Sequence, residues 1–401
     1  MNAELTVAER LPLEWQEWIT TNMLRGVQTE TIIETLKQHS FSDVQIRAAL
    51  DSELTAANDS KQPIRKLPVR WKEWVAINLL EGVDRNVIAQ VLSKEGYSQA
   101  EIVLEFETAS KSPYLQAGMK AGKLLQKREW LLQTCDDLAR LDPGYNQKID
   151  VIDTPSFDVF IKDYYSKHKP VVLKQGIAHW PALKKWSPQY FADTFGDTEI
   201  QVQSNRESDA QFERNSNQHR ETMRMADYVD KIENAGPSNN YYMTANNTQQ
   251  NVEAIRPAFD DLGDFGEGYR QLTDNPAYST FFWMGPEGSF TPLHHDLTNN
   301  MLVQIYGRKK VTLIPAMQVP WLYNDLHVYS QVNFPEVDLS THPLMENVTP
   351  VEVMIEPGDA LFIPIGWWHC VHGLEKSISI SFTNFNAPNS AYAEKFMAVG
   401  A

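Results

Sequence analysis

The strongest constraint on the fold is a succession of short apolar runs that begins after Pro143. These runs have the length, composition and turn-residue boundaries of β-strands: PVVLKQG, TEIQVQ, YYMTA, STFFWMG, NMLVQIYG, KKVTLIP, VEVMIEPGD, ALFIPIG and SISISFTNF. Many short strands separated by glycine and proline are typical of a β-barrel or a double-sheet jelly roll. We therefore predict a mainly β C-terminal domain, with flanking helices such as one near FDVFIKDYYSKH.

The first part of the chain differs because one segment of it occurs twice. LPLEWQEWITTNMLRGV at residues 11–27 aligns with LPVRWKEWVAINLLEGV at residues 67–83, at an offset of 56 residues. Within each copy the apolar residues have helical spacing, which predicts an all-α domain before the β domain. The predicted boundaries are a tandem helical repeat module at 1–110 (copies at about 11–55 and 67–110), a connecting helix at 111–145 and the β domain at 146–401.

Each copy of the repeat is too small to bury much apolar surface by itself. Its tryptophans, Trp15 and Trp18 in the first copy and Trp71 and Trp74 in the second, are interpreted as core residues. The alternative is a module that grips a protein or peptide partner, docks on the rest of the chain or forms a homodimer. Nothing in the sequence names the partner.

Composition narrows the functional classes. The chain has 36 basic and 52 acidic residues, for a net charge of −16, which argues against sequence-independent binding of nucleic acid. Two cysteines support neither a disulfide framework nor a cysteine zinc site. The start of the sequence does not resemble a signal peptide, and no apolar run reaches the roughly 18 residues of a membrane span. We predict a soluble, cytoplasmic protein without membrane association.

Two histidines and an aspartate interrupt the apolar pattern in FTPLHHDLTNN, residues 290–300. His294 and Asp296 are two residues apart, so on a strand they leave the same face, whereas His295 leaves the other. A third imidazole, His369, follows in IEPGDALFIPIGWWHC. Two imidazoles and one carboxylate on one face of a metal ion, with other positions open, are typical of non-haem Fe(II) oxygenases.

A lysine also stands out, in the strand RKKVTLIP. Lys309, Val311 and Leu313 alternate with Arg308, Lys310 and Thr312, so one face is apolar apart from Lys309. A single cation that points where valine and leucine point is expected inside the barrel, where it needs an anion.

Residues from about 150 to 386 resemble the JmjC branch of the Fe(II)/2-oxoglutarate oxygenases, within the cupin superfamily. The resembling stretches are KPVVLKQGIAHWPALKKW (169–186), FTPLHHDLTNNMLVQIYGRKKVTLIP (290–315) and EPGDALFIPIGWWHCV (356–371). Within the branch, the sequence resembles the protein hydroxylases, such as the asparaginyl hydroxylase of the hypoxia-inducible factor. The resemblance implies a double-stranded β-helix (cupin jelly roll), Fe(II), 2-oxoglutarate as co-substrate, and O2.

The resemblance also implies roles for individual side chains. His294, Asp296 and His369 match the family's metal ligands and catalytic residues, and Lys309 matches the lysine that pairs with the distal carboxylate of 2-oxoglutarate. The other matches bind the co-substrate, with hydroxyl donors and amides at Thr291, Tyr242, Asn300 and Asn384. Because Tyr241 adjoins Tyr242, a slip of one residue would exchange the two tyrosines.

The predicted reaction is hydroxylation of an amino-acid side chain in a protein or peptide, with release of succinate and CO2. One alternative is the same chemistry on a small molecule or a modified tRNA base. Another is a barrel that senses 2-oxoglutarate or iron without turnover. Two polar segments, 203–225 and 316–350, are candidate substrate contacts. A second His-x-acid pair, His219 and Glu221, is interpreted as exposed surface.

Overall fold

The computed structural model of the chain describes residues 11–24, 27–50, 65–142, 148–234, 236–271, 279–326 and 328–389. The chain divides into two compact units, Met1–Trp130 and Leu131–Ala401. The predicted boundary at residue 146 lies outside the described residues and stays a prediction, and the division into two units falls inside a long helix. Among the described residues, no helix has both the length and the hydropathy needed to cross a membrane.

Helices form the described part of the first unit, three in each copy of the repeat. Their bounds are α1 Leu13–Leu24, α2 Thr29–Gln38, α3 43–50, α4 Val69–Leu80, α5 Arg85–Lys94 and α6 Gln99–Lys111. The third helix of each copy starts with the same reciprocal cap. Ser42 exchanges hydrogen bonds with Gln45 in the first copy, and Ser98 does so with Glu101 in the second.

The two copies have equivalent cores. The buried apolar residues of the second copy lie 56 positions after those of the first, in the pairs Leu11/Leu67, Ile19/Val75, Ile32/Ile88, Leu36/Leu92, Ile46/Ile102 and Leu50/Phe106. The four tryptophans are half-buried and pack at the edge of these cores. The duplication in the sequence is therefore a duplication of one helical packing arrangement.

Helix α7, Pro113–Ala139, begins in the first unit and ends in the second. Its last turns belong to the second unit because a buried carboxylate, Asp136, accepts a hydrogen bond of 3.1 Å from Gln318 Nε2. Just beyond the helix, Arg140 Nη2 donates to the carbonyl of Asn347 at 3.1 Å. These polar contacts place the structural division within the helix that the sequence predicted as a connector.

The second unit is rich in short strands. The strand bounds are β1 Asp150–Ile152, β2 Val171–Leu173, β3 Glu199–Gln203, β4 Arg220–Arg224, β5 Thr280–Gly285, β6 Phe290–His295, β7 Asn300–Tyr306, β8 Lys309–Ile314, β9 Asn324–Leu326, β10 Tyr329–Ser330, β11 Val351–Ile355, β12 Ala360–Ile363, β13 Trp368–Gly373 and β14 Ser377–Phe382. The helices are α8 Phe157–Phe160, which continues as a π-helical turn Ile161–Tyr165, α9 Pro181–Lys185, α10 Pro188–Phe195, α11 Met225–Asn234 and α12 Thr248–Ala254. Short 3-10 turns cover Arg206–Ser208, Ser216–His219, Ala245–Asn247, Arg256–Asp261, Ala316–Trp321 and Pro343–Asn347.

Two six-stranded sheets form the barrel, in the orders β1-β2-β12-β7-β14-β5 and β11-β8-β13-β6-β10-β9, and β3 and β4 form a separate hairpin. Apolar residues of both sheets share one cluster between them, including Leu302 and Leu361 from the first sheet and Val311 and Leu313 from the second. Helices cover the outer face of the first sheet, and residues of the 316–348 segment cover the second. The predicted jelly-roll class, with helices before and around it, is confirmed.

Ile380 tests the packing of the first sheet. It is fully buried on β14, and Ile380→Ala should lower the free energy of unfolding by about 2–5 kcal/mol through lost burial and a cavity. Met354→Ala is the control on β11, where the side chain is 48% exposed, and a change within about 0.5 kcal/mol is expected. Denaturant unfolding followed by near-ultraviolet circular dichroism measures both. Equal effects would contradict the assignment of Ile380 to the core.

Candidate metal and co-substrate site

A β-bulge in β6 shapes the site. Opposite β13, Thr291 pairs with Val371 and His294 pairs with His369, so three steps along β6 match two along β13. Strict alternation would put Thr291 and His294 on opposite faces, yet both line one cavity. Leu293, within the bulge, packs on the outer side of the sheet. The bulge is why a threonine and a histidine three residues apart can serve the same pocket.

Three ligand side chains converge in that cavity. The ligand atoms of His294, Asp296 and His369 lie within 4.8 Å of one another, the only such group found in the described part of the chain. Asp296 Oδ1 is 4.0 Å from His294 Nε2, and Asp296 Oδ2 is 3.9 Å from His369 Nε2. Asp296 follows the end of β6, and its main-chain carbonyl accepts a hydrogen bond from the Gly366 amide at 3.1 Å.

The hydrogen bonds of both imidazoles define their tautomers. His294 Nδ1 lies 2.8 Å from the Pro292 carbonyl and His369 Nδ1 lies 3.0 Å from the Trp367 carbonyl. A carbonyl oxygen can only accept, so each Nδ1 carries the proton and each Nε2 keeps its lone pair for a metal ion. Burial, with a contribution from the nearby His369, lowers the pKa of His294, which favours the neutral, metal-binding form.

The carboxylate is oriented in a similar way. Asn300 Nδ2 donates to Asp296 Oδ2 at 2.9 Å, and the two carboxylate oxygens face different imidazoles, Oδ1 that of His294 and Oδ2 that of His369. Two neutral nitrogens and one carboxylate oxygen, each held by a neighbouring group, fit a divalent iron ion. Asn300 lines the cavity, and its amide nitrogen is bonded to Asp296.

The other end of the cavity holds a buried cation. Lys309 is 1% exposed, and its Nζ donates to the Tyr242 hydroxyl at 3.2 Å. No ion pair formed by Lys309 occurs among the residues that the structure describes. An isolated buried ammonium group is unfavourable, so this end of the cavity is suited to an anion. Tyr242 is buried and lines the cavity, whereas the Tyr241 ring contacts Lys231 at 5.0 Å from Nζ.

The predicted place of Asn384 in the co-substrate pocket is corrected by the structure. The structure does not bring it to the cavity with His294, because it follows the end of β14, where the segment 270–271 engages its side chain. Asn384 Nδ2 donates to the Gln271 carbonyl, and its Oδ1 lies 3.5 Å from Arg270 Nε. Ser381 lines the cavity instead. The alternation in SISISF could have indicated it, since the isoleucines face the helices and the serines face the interior.

The two candidate contact segments, 203–225 and 316–350, each contribute a cavity side chain that the sequence did not indicate. Glu213 lines the cavity and accepts hydrogen bonds from Arg206 Nη2 at 2.6 Å and from Asn246 Nδ2 at 3.1 Å. Tyr329, on β10, pairs with His294 in register and also lines the cavity. No periodic signal marks Glu213, because its position depends on the fold of an irregular segment.

The interpretation of His219 as exposed is wrong. The side chain is buried, its Nδ1 lies 3.0 Å from the Ser204 carbonyl, and its Nε2 lies 3.2 Å from Asp209 Oδ2. It therefore links Ser204 and Asp209 within the same irregular segment, and among the described residues it belongs to no group of three metal-ligating side chains.

Comparison with known proteins agrees with this site. The sequence profile described as a cupin-like domain matches residues 157–390, more than half of the chain. The chain is 31% identical to lysine-specific demethylase 8 of Xenopus tropicalis over 238 residues (57% of this chain, 51% of that one). It is 28% identical to lysine-specific demethylase JMJ30 of Arabidopsis thaliana over 254 residues (59% and 54%). It is also 24% identical to tRNA wybutosine-synthesizing protein 5 of Gallus gallus over 241 residues (58% and 76%).

The chain belongs to the cupin-like domain family and, within it, to the JmjC oxygenases, whose members use Fe(II), 2-oxoglutarate and O2. The predicted resemblance is thus confirmed at the level of the family. The chain spans only about half the length of the two demethylases. The likeness to the protein-hydroxylase branch stays a prediction.

Two adjacent histidines provide a matched test of the metal ligands. His294→Ala should weaken binding of Mn(II), a stable stand-in for Fe(II), by more than the roughly 10–100-fold typical of an outer partner. His295→Ala should have a much smaller effect, within the range for an outer partner, because its ring packs beside Trp368 with centroids 4.8 Å apart and its Nδ1 lies 3.2 Å from the Asp296 main-chain carbonyl. Calorimetric titration measures both affinities. A larger loss for His295→Ala would refute the assignment.

Asn300 tests the orientation of the carboxylate. Asn300→Ala removes the donor to Asp296 Oδ2, and Mn(II) affinity should fall roughly 10–100-fold while the unfolding midpoint changes little. Asn300→Asp is a second variant, which places a like charge beside Asp296 and should weaken affinity or shift its pH dependence. Native affinity in Asn300→Ala would show that Asp296 needs no orienting partner.

Proposed function

We propose that this protein is an Fe(II)- and 2-oxoglutarate-dependent dioxygenase that hydroxylates an amino-acid side chain of a protein or peptide and releases succinate and CO2. The observation that carries the proposal is the polarity of one cavity, with three metal-ligating side chains at one end and the buried Lys309 at the other. A dicarboxylic 2-oxo acid matches both ends. When bound, Fe(II) with 2-oxoglutarate and O2 supplies the oxidation that converts a substrate C–H bond to C–OH.

The protein's own residues would bind the metal ion, orient the co-substrate and keep water out of the cavity. His294, Asp296 and His369 would hold the ion through two Nε2 atoms and a carboxylate. Lys309, with the hydroxyls of Tyr242 and Thr291, would receive the distal carboxylate of the co-substrate. Apolar side chains of the cavity wall, Leu302 and Ile363 among them, would limit the access of water.

The size of the cavity favours a polymeric substrate that inserts one group. Its volume is about 170 Å³, below the roughly 300–1,000 Å³ usual for small-molecule sites. Once the co-substrate occupies it, only a small substrate group can enter, and the body of the substrate has to lie outside. Glu213, Asn246 in the 3-10 turn Ala245–Asn247 and Tyr329 on β10 line this cavity and are the candidate contacts for the inserted group.

The substrate class is supported in two further ways. Two of the relatives are named lysine-specific demethylases, which indicates action on amino-acid side chains in those proteins. The net charge of −16 suits a neutral or basic polypeptide better than a phosphate backbone. The name of the Gallus gallus relative keeps a modified tRNA base as the second candidate. The helical repeats would grip the polypeptide substrate, and the chain would form a homodimer.

Adjacent lysines test the co-substrate site. Lys309→Met should weaken 2-oxoglutarate binding to the Mn(II)-loaded protein by about 10²–10³-fold or more, since a buried carboxylate left without its partner costs about 3–5 kcal/mol. Lys310→Met is the control, because Lys310 faces outward and pairs with Glu352 at 3.0 Å. Mn(II) affinity should stay native in both. Equal 2-oxoglutarate affinity in the two variants would overturn the placement of the co-substrate.

Turnover separates the remaining alternatives. The native protein with Fe(II), 2-oxoglutarate and O2 should form succinate, and His369→Ala should not. With a peptide library, mass spectrometry should find a gain of one oxygen on a side chain. Oxygen gained instead by a tRNA, with binding that weakens steeply with salt, would favour the nucleic-acid substrate. Binding of 2-oxoglutarate without succinate under all conditions would favour a sensor.

A further inference from the structure

Residues 364–367, here called the 364–367 turn, join the two parts of the chain that carry metal ligands. The Gly366 amide donates to the main-chain carbonyl of Asp296 at 3.1 Å. The Trp367 carbonyl accepts the hydrogen bond from His369 Nδ1 at 3.0 Å. Any displacement of this turn would therefore move the orienting groups of an imidazole and a carboxylate together.

One side chain from a distant part of the sequence holds this turn. His168 Nε2 hydrogen-bonds to the Ile365 carbonyl, and Trp367 Nε1 lies 3.3 Å from His168 Nδ1 and 3.0 Å from the His168 carbonyl oxygen. Since Ile365 offers an acceptor and the indole offers a donor, the ring is protonated at Nε2 and unprotonated at Nδ1. A neutral histidine satisfies both partners at once, and burial lowers the pKa of His168 in the same direction.

The backbone of His168 supports a specific role. Its φ of 56° lies in the left-handed region, which is uncommon for a residue with a side chain. This conformation directs both the ring and the carbonyl of one residue at the same turn. Asn299 Oδ1 holds the turn as well, by accepting from the Ile365 amide at 2.9 Å.

We propose that His168 is a positioning residue for the metal centre, which acts through the 364–367 turn on His369 and Asp296. The inference rests on the proposed metal site and adds a residue that lies far from the ligands in sequence. His168 is not among the residues that line the cavity. It stabilises the acceptor that orients the His369 imidazole, so its effect should appear in metal affinity and ligand geometry and not at the Lys309 end.

Three variants test the proposal on the full chain. His168→Phe keeps a planar ring and removes both polar contacts, while His168→Gln keeps an amide N–H near the position of Nε2. His179→Phe is the matched control, because His179 is an exposed histidine whose Nε2 bonds to another main-chain carbonyl, that of Asp264, at 3.0 Å. The measurements are Mn(II) affinity, the visible absorption spectrum of the Co(II)-loaded protein, 2-oxoglutarate affinity of the Mn(II)-loaded protein, and the unfolding midpoint.

His168→Phe should weaken Mn(II) binding by about tenfold, at the lower end of the range for outer partners of a metal site, and shift the Co(II) spectrum. Its 2-oxoglutarate affinity, measured with metal saturating, should remain native. His168→Gln should restore most of the metal affinity, and His179→Phe should match the native protein throughout.

Native Mn(II) affinity and a native Co(II) spectrum in His168→Phe would overturn the proposal while leaving the metal site intact. Parallel losses of metal affinity, 2-oxoglutarate affinity and unfolding midpoint, without rescue by His168→Gln, would also overturn it, since they would indicate general destabilisation. A native chain that bound no Mn(II), or a His294→Ala variant with native affinity, would instead show that the metal assignment itself fails.

Discussion

The pairing of β6 with β13 is the interaction on which the site depends. It sets His294 opposite His369, and its bulge turns Thr291 toward the same cavity. Because the two strands lie in a sheet whose inner face is covered by the opposite sheet, the ligands meet in a cavity that is largely shielded from solvent. Electrostatic interactions are stronger there than in water, so each polar group at the site has a defined partner or needs a ligand.

That requirement explains the distribution of hydrogen bonds around the cavity. The Asp296 carboxylate accepts a hydrogen bond from the Asn300 amide, and Glu213 accepts from Arg206 and Asn246. Each imidazole donates to the carbonyl two residues before it. Lys309 has only a neutral hydroxyl among the described residues. The carboxylates thus have hydrogen-bond donors, whereas the ammonium group of Lys309 lacks an anionic partner among the described residues. This difference makes the Lys309 end of the cavity the one suited to an anion.

The sequence predicted the features that follow from short-range periodicity. Alternation along RKKVTLIP placed Lys309 on the face of Val311 and Leu313, and the 56-residue offset placed equivalent cores in the two repeats. Periodicity does not predict features that depend on irregular backbone. The family resemblance named Thr291, but alternation alone does not predict its place in the cavity, because that place depends on the bulge. Asn384 lies where the chain has already left the sheet, and the position of Glu213 depends on how its segment folds.

The tautomer of each ligating imidazole has a consequence for how the protein is assembled. The carbonyls of Pro292 and Trp367, each two residues before its histidine, orient the rings. Both rings are therefore oriented by the folding of their own strands, whereas small zinc-dependent domains fold only with their metal. A substitution that shifts either carbonyl would thus turn an imidazole away from the cavity even though the histidine itself is kept.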